Sequence, residues 1–157
     1  MLRKGCVKDL KDGVLTRRSG HIAVCMCRYP RGLPKTALDE YCHALAPTQE
    51  LLDDFHAERE RLNGNHNAAF LAMNYQKRFA FNAEAVEALR KLSERSEKQE
   101  VFIVCQCALK ERCHRELLLI AAVFFCLFRL LRYSPRLLRC PYRLFILPET
   151  AHSSCYF

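Results

Sequence analysis

The residues of this sequence whose types and spacing suit chemistry fall into two groups of cysteines with arginines beside them. In the first group, Cys25 and Cys27 precede Arg28, Arg31 and Gly32. The second group lies within residues 105–115 and consists of Cys105, Cys107, Arg112, Cys113, His114 and Arg115. Thiols beside cations can become nucleophilic thiolates, and clustered thiols and imidazoles can also hold a metal ion. Both chemistries are therefore open at the outset.

Thiol chemistry is the first hypothesis for the second group. A reactive thiolate needs a lowered pKa, which a helix N-terminus and nearby cations can supply. The cations beside Cys107 and Cys113 are Arg112, His114 and Arg115. We expect Cys113 to be a nucleophile or redox thiol, with His114 as its base or proton carrier. Cys107 is a further catalytic candidate.

Zinc binding is the alternative chemistry for the same segment. Four thiol or imidazole ligands suited to zinc are available in Cys105, Cys107, Cys113 and His114. Their spacing is not that of a familiar zinc module, and adjacent Cys113 and His114 at a helix start diverge in direction. Zinc therefore stays an open cofactor hypothesis, and each cysteine can also be a small core residue.

Two buried strands are expected to position both groups. Residues 21–27 form a short apolar run that ends in a turn-like segment. Residues 101–105 form a continuous apolar run, typical of a parallel strand buried on both faces. Side chains two apart on a strand share a face, which would pair Cys25 with Cys27 and Cys105 with Cys107 if each strand reaches that far.

A pocket for an anion is expected at the carboxyl ends of these strands. Ligands of open α/β sheets bind at those ends, where loops run into helix N-termini that favour negative charge. The candidates for binding a phosphate-bearing ligand are Arg28, Arg31, Gly32, Cys105, Arg112 and Arg115.

Helices are expected between and after the strands. Thr36, Thr48 and Asn82 can each cap a helix, and residues 68–79 show a helical pattern. Residues 117–128 are apolar without interruption, but this run is shorter than the roughly 20 residues that span a bilayer. We therefore expect a buried helix there and no transmembrane segment.

Composition and charge narrow the class of protein. The chain has ten cysteines, but residues 1–20 are polar and basic and lack the pattern of a signal peptide. We therefore expect a cytoplasmic, cysteine-rich protein with reduced thiols. The net charge of +8 suits an anionic small molecule, nucleic acid or a membrane surface as the partner, without choosing among them.

The C-terminal tail, residues 129–157, is basic and apolar. Residues 142–147, between two prolines, could be a last strand. Arginines recur in the tail at steps of three and four, which on a helix would give a basic stripe able to contact a membrane surface or nucleic acid, although two prolines interrupt that helix. A solvated or disordered tail is the other interpretation.

Several motifs together resemble one known family. The motifs are CRYPRGL at residues 27–33, LAP at 45–47, IVC at 103–105 and CHR at 113–115. In this order, over about residues 20–125, they resemble the domain of unknown function 488 (DUF488) family. The resemblance implies a compact α/β domain without an established activity, whose functional surface is the Pro-Arg-Gly loop and the Cys-His-Arg helix start. The matching positions are Arg28, Pro30, Arg31, Gly32, Cys105, Cys113, His114 and Arg115.

The chain departs from the family pattern after about Leu119. Family members usually carry an acidic helix with a polar face there, whereas this chain continues with the apolar run. A shifted reading frame near the end is one hypothesis for this difference.

We therefore predict a small single α/β domain with a mostly parallel sheet flanked by helices. It would consist of an N-terminal polar segment, residues 1–20, a DUF488-like domain, residues 21–128, and the tail. The leading hypothesis for its function is binding of an anionic ligand, with thiol-dependent chemistry. The alternative is a non-catalytic nucleic-acid-binding module with a structural or zinc-bound Cys/His cluster.

Overall fold

The computed structural model describes residues 1–131 of the 157-residue chain. The predicted strand at residues 142–147 and the predicted basic stripe beyond residue 131 lie outside the described residues. The proposed boundary between domain and tail at residue 129 falls inside the last described helix.

A four-stranded sheet in which all strands run parallel forms the centre of the molecule. The strands are β1 (Leu2–Cys6), β2 (His21–Val24), β3 (Glu40–Tyr41) and β4 (Val101–Cys105), in the order β1-β4-β2-β3. Together with the flanking helices, this sheet confirms the predicted α/β class and the parallel sheet. Strands β2 and β4 are neighbours, so their carboxyl ends lie side by side.

Six helices accompany the sheet in the described part of the chain. They are α1 (Val7–Lys11), α2 (Gln49–Arg61), α3 (His66–Ala72), α4 (Tyr75–Arg78), α5 (Ala83–Ser96) and α6 (His114–Leu131). The predicted caps are confirmed at two of them, because the Thr48 side chain accepts a hydrogen bond from the Leu51 N–H and that of Asn82 accepts from Ala85.

Two of the predicted helices were wrong in detail. The expected helix over residues 68–79 is divided into α3 and α4, because Asn74 adopts the left-handed conformation with φ of 51°. Thr36 caps no helix, since it lies inside a single 3-10 turn, Lys35–Ala37, that begins after Pro34.

The first 20 residues contribute to the sheet, although they were predicted only as a polar segment. Strand β1 pairs in parallel with β4, from Leu2 opposite Val101 to Cys6 opposite Cys105. Gly5 fits this pairing because a Cβ there would lie 2.8 Å from a Val104 methyl carbon. The strand and α1 therefore form part of the same structure as the rest of the described chain.

The core lies on both faces of the sheet. On β4, Ile103 packs into one cluster with Phe55, Leu89 and Leu118, and the next residue, Val104, packs into a second cluster on the other face. Alternate residues of β4 thus point into two separate apolar layers. This burial confirms the expectation from the continuous apolar run at residues 101–105.

Helix α6 is only partly buried, contrary to the prediction of a buried helix at residues 117–128. Leu118 and Ala122 are fully packed against the core, but Ile120, Val123 and Phe124 are exposed. A helix lying on one face of a sheet buries one stripe of its surface, so an uninterrupted apolar run leaves apolar residues outside. None of the helices within residues 1–131 is long and apolar enough to cross a membrane.

Candidate functional site

The carboxyl ends of β2 and β4 bring the two predicted groups together. Strand β2 ends at Val24, before the predicted end at residue 27, and β4 ends at Cys105 as predicted, so Cys27 and Cys107 lie in loops and share no strand face with Cys25 and Cys105. The Cys25 N–H still donates to the Val104 carbonyl oxygen at 2.8 Å, which aligns the chain just beyond β2 with the end of β4.

A cavity of about 440 Å³ opens at these strand ends, between the loops, α2, α3 and the start of α6. It is the kind of concave, largely apolar site, with a few polar groups, that small ligands occupy. Six of the predicted site residues line it, namely Arg28, Cys105, Cys107, Arg112, Cys113 and His114.

The other three predicted residues lie elsewhere. Arg31 is exposed, and its backbone carbonyl accepts a hydrogen bond from Lys11 Nζ at 2.7 Å. Gly32 has a φ of 71°, which glycine adopts without strain, and shapes the same loop. Arg31 and Gly32 do not line the cavity, and neither does Arg115, which is fully buried.

Arg115 ties the start of α6 to the loop after β4 and to β1. Its guanidinium donates to the carbonyl oxygens of Gly5, Cys107 (3.0 Å) and Ala108 (2.9 Å). Its Nε donates to Cys113 Sγ at 3.1 Å. Arg115 thus holds the loop in place and also puts a buried positive charge against the Cys113 sulfur.

Cys113 is the thiol that the structure favours in its ionised form. Hydrogen bonds with the Cys105 and Cys107 thiols, and the positive charge of Arg115, lower the pKa of Cys113 far below its usual range, although burial opposes them. Cys113 also directly precedes α6, where helix N–H groups favour a negative charge.

The two neighbouring thiols stay protonated. Hydrogen bonds with Cys107 and Cys113, together with burial, raise the pKa of Cys105 well above its usual value. The hydrogen bond with Cys105 lowers the pKa of Cys107. The hydrogen bond with Cys113 and burial outweigh this effect and raise the pKa of Cys107 to about 12. The three sulfurs therefore act as one thiolate with two thiol donors.

His114 is held by the backbone beyond β2. Its Nε2 lies 2.9 Å from the Cys25 carbonyl oxygen, which can only accept, so Nε2 carries the proton. Burial is the main cause that lowers the pKa of His114, a residue that is only 5% exposed. His114 is therefore neutral around pH 7 and joins the two strand ends.

Three arginines line the cavity, of which Arg28 and Arg112 were predicted from the sequence and Arg59 was not. Arg59 of α2 lines it and forms no ion pair with any residue in the described range. Arg28 likewise has no carboxylate partner within residues 1–131, and its guanidinium only approaches Gln49 Oε1 at 3.5 Å. The charge of Arg112 is partly neutralised, because its Nε lies 3.6 Å from Oε2 of Glu116. The Arg112 guanidinium also lies over the Phe70 ring.

The predicted zinc ligands separate into two groups. The inner cluster is Cys105, Cys113 and His114, all buried. Cys107 belongs instead to an outer cluster with His66 and Glu111, all partly buried. The Arg115 guanidinium touching Cys113 disfavours a dication in the inner cluster, since like charges at that distance repel strongly.

His66, Glu111 and Arg59 were missed by the sequence analysis. His66 begins α3 and Arg59 lies near the end of α2, where polar residues are ordinary on an exposed helix face. Glu111 stands among the charged residues of the loop after β4, a setting typical of solvated side chains. Only the packing of α2 and α3 against the strand ends turns these residues towards one cavity.

Comparison with known proteins gives one finding. A family model described as "DUF488-N3a: Active DUF488-N3 subclade" matches residues 10–122. Searches of curated proteins and of solved structures returned no match. The matched range contains β2 to β4, the cavity and both clusters, but not β1.

Proposed function

This chain belongs to the DUF488-N3a family, since the family model covers most of it. We propose that the protein binds a phosphate-bearing anion in the cavity and that Cys113, on the wall of the same cavity, is a reactive thiol. The observation that carries the proposal is the pair of cations without carboxylate partners in the described chain, Arg28 and Arg59, on the wall of one cavity.

The cavity wall makes these charges effective. Apolar side chains such as Phe55, Phe70 and Leu52 line the cavity and lower the local dielectric, which strengthens the attraction of an arginine for an anion. Asp53 and Glu111 also line it, but Asp53 accepts a hydrogen bond from Gln49 at 2.7 Å. A guanidinium can bind a phosphate through two parallel hydrogen bonds, which suits Arg28 and Arg59 to this role.

The thiol part of the proposal rests on contacts of Cys113. Its sulfur accepts a hydrogen bond from Arg115, and the residue lines the cavity although only 4% of it is exposed. A ligand held by the arginines would lie within reach of this sulfur. His114, bonded through Nε2 to a carbonyl, could serve the thiol only through Nδ1, and its predicted role as a base remains a prediction.

Binding is tested by calorimetric titration with inorganic pyrophosphate. We expect Arg28→Gln and Arg59→Gln each to weaken binding about tenfold or more, because a hydrogen bond to a charged group contributes about 1.5 kcal/mol or more. Arg18→Gln is the matched control, since Arg18 is exposed and precedes β2 at the opposite end of the strand. Equal affinity in all three variants would exclude the cavity as the anion site.

Thiol reactivity is tested by alkylation with iodoacetamide, in which an S–C bond forms and iodide leaves. Peptide-resolved mass spectrometry should show faster alkylation at Cys113 than at Cys105 or Cys6, and pyrophosphate should slow it. Cys6 is the control, because it is buried at the end of β1 and does not line the cavity. A slower rate at Cys113 than at Cys105 would overturn the assignment of the reactive thiol.

The small, concave shape of the cavity favours a small anion over nucleic acid, the alternative partner. A nucleic acid would lie along an open basic surface, and its binding would weaken steeply between low and moderate salt. Salt-sensitive binding of an oligonucleotide that is unchanged in Arg28→Gln and Arg59→Gln would favour the alternative.

A reactive Cys113 needs reducing conditions, so the proposal also includes the cytoplasmic location.

A further inference from the structure

The outer cluster, His66, Cys107 and Glu111, has a geometry that neither anion binding nor the Cys113 thiol requires. The three residues come from the start of α3 and from the loop after β4, and all three line the cavity. One ligand atom from each, an imidazole nitrogen, a sulfur and a carboxylate oxygen, lies within 4.8 Å of the others.

The orientation of His66 is fixed by its backbone partner. Its Nε2 lies 3.0 Å from the carbonyl oxygen of Arg112, so Nε2 carries a proton and donates. In the neutral imidazole, the lone pair is then on Nδ1. Metal-binding histidines are typically oriented in this way, with the far ring N–H donated to a carbonyl or carboxylate.

The carboxylate of Glu111 is fixed in a complementary manner. Its Oε2 accepts a hydrogen bond from the Ala108 N–H at 2.6 Å, and its Oε1 lies 3.7 Å from Nδ1 of His66. Two hydrogen-bond acceptors thus face each other, and a cation between them would remove the repulsion. A proton could also do so, but the nearby Cys107 adds a third ligand that suits a metal ion, which it would bind as a thiolate with release of its proton to the solvent.

We propose that His66, Cys107 and Glu111 bind a zinc ion at the wall of the cavity. Zinc bonds to N and O are about 2.0–2.2 Å and to S about 2.3 Å, so ligand atoms around one ion lie roughly 3.3–3.8 Å apart. The separation of 3.7 Å between Nδ1 and Oε1 already fits. Three protein ligands leave the fourth tetrahedral position open towards the cavity, as in catalytic zinc sites. This ligand set differs from the one predicted from the sequence, and it gives Cys107 the role of a ligand.

The proposal is tested with the metal alone. Reduced, chelator-treated protein is titrated with Zn²⁺ against a chromogenic chelator, and then with Co²⁺, whose spectrum reports a thiolate ligand and tetrahedral geometry. We expect one metal ion per chain in the cavity. His66→Ala, Cys107→Ser and Glu111→Gln should each weaken binding by about 100-fold or more, because removal of a ligand costs at least as much as removal of its supporting hydrogen bond. The thiolate-to-cobalt band should be lost in Cys107→Ser.

Matched controls come from the same cavity. His56 and Cys27 line it but belong to neither cluster, so His56→Ala and Cys27→Ser should retain the affinity and the cobalt spectrum. Cys105→Ser should keep the thiolate-to-cobalt band, because Cys107 still supplies the ligand sulfur. Loss of the thiolate band in Cys105→Ser but not in Cys107→Ser would overturn the proposal in favour of the inner cluster.

A measurement on the unmodified sequence avoids any folding defect of the variants. Zn²⁺ should protect Cys107 from alkylation, with Cys27 unprotected as the internal reference. No protection of Cys107 at saturating Zn²⁺ would overturn the proposal. No phosphate is present in these experiments, so the zinc site and the anion site succeed or fail separately.

Discussion

The inner and outer clusters both combine cysteine with histidine, yet their surroundings suit them to different chemistry. In the inner cluster, the Cys113 sulfur accepts a hydrogen bond from the buried Arg115 guanidinium, so the positive charge of Arg115 already balances a Cys113 thiolate. In the outer cluster, His66 and Glu111 turn acceptors towards each other, and no arginine or lysine within residues 1–131 forms an ion pair with Glu111. The comparison teaches that the charge beside a thiol decides between a reactive sulfur and a metal ligand, more than the spacing of cysteines in the sequence does.

Removal of Arg115 should have the largest effect, because it removes the group that distinguishes the inner cluster. Arg115→Ala would leave the carbonyls of Gly5, Cys107 and Ala108 without their buried donor. We expect a loss of about 3 kcal/mol or more in the free energy of unfolding, measured by urea denaturation.

The control for this prediction is Arg112→Ala on the same segment. The Arg112 side chain is 47% exposed and its ion pair with Glu116 is long, so its loss should cost less than about 1 kcal/mol. Similar losses for Arg112→Ala and Arg115→Ala would show that Arg115 does not organise the inner cluster.

The pH dependence of stability should separate His114 of the inner cluster from ordinary histidines. Burial first, and then the Arg115 charge, hold the pKa of His114 below its usual 6.5, against the opposing effects of Cys113 and the Cys25 carbonyl. Below pH 6.5, His114 therefore takes up a proton more readily in the unfolded chain than in the folded chain. Stability from this residue is lost as the pH falls, by at most about 1.4 kcal/mol per pH unit.

This second prediction is checked by urea unfolding of the natural chain and of His114→Gln at pH 7 and pH 5.5. The glutamine can still donate to the Cys25 carbonyl but does not titrate. The difference between the two proteins should therefore shrink at the lower pH. A constant difference would mean that His114 takes up its proton in the folded state as readily as in the unfolded state.

The smallest effect is expected at Glu111 in the outer cluster. In metal-free protein, Glu111→Gln should change the free energy of unfolding by less than about 0.5 kcal/mol, because the amide can donate to Nδ1 of His66 and keep the bond from Ala108. The matched comparison is Asp39→Asn, which should cost about 1 kcal/mol or more, since Asp39 accepts from Arg17 and from the Ile22 N–H. An equal loss at Glu111 would mean that it forms an ion pair with protonated His66.

The parts of the fold that depend on local pattern were predictable from the sequence. Strand β4 stands out as a buried apolar run, and Thr48 and Asn82 mark helix starts through hydrogen bonds within one turn. Strand β1 was not predictable, because Arg3 and Lys4 interrupt any apolar pattern at this sheet edge. Its stability comes from pairing with β4, and no short sequence window contains that partner.

The site was predictable to the extent that it depends on strand ends. The rule that ligands lie beyond the carboxyl ends of parallel strands places Arg28, Cys105 and Cys113 near one another, as found. The direction of Arg115 was not predictable, since it depends on how α6 packs over β1. His66 was missed because α3 lies far from both strands in the sequence and joins the cavity only through tertiary packing.

The bond from Arg115 to the Gly5 carbonyl joins residues 110 positions apart, and this separation has a kinetic consequence. Parallel pairing of β1 with β4 closes most of the described chain into one loop, so the entropy of loop closure opposes it until late in folding. The wall of the cavity that Arg115 anchors should therefore form last, after the local helices. Recovery of ligand binding during refolding should then lag behind recovery of helical signal, and binding would report only chains that have completed their topology.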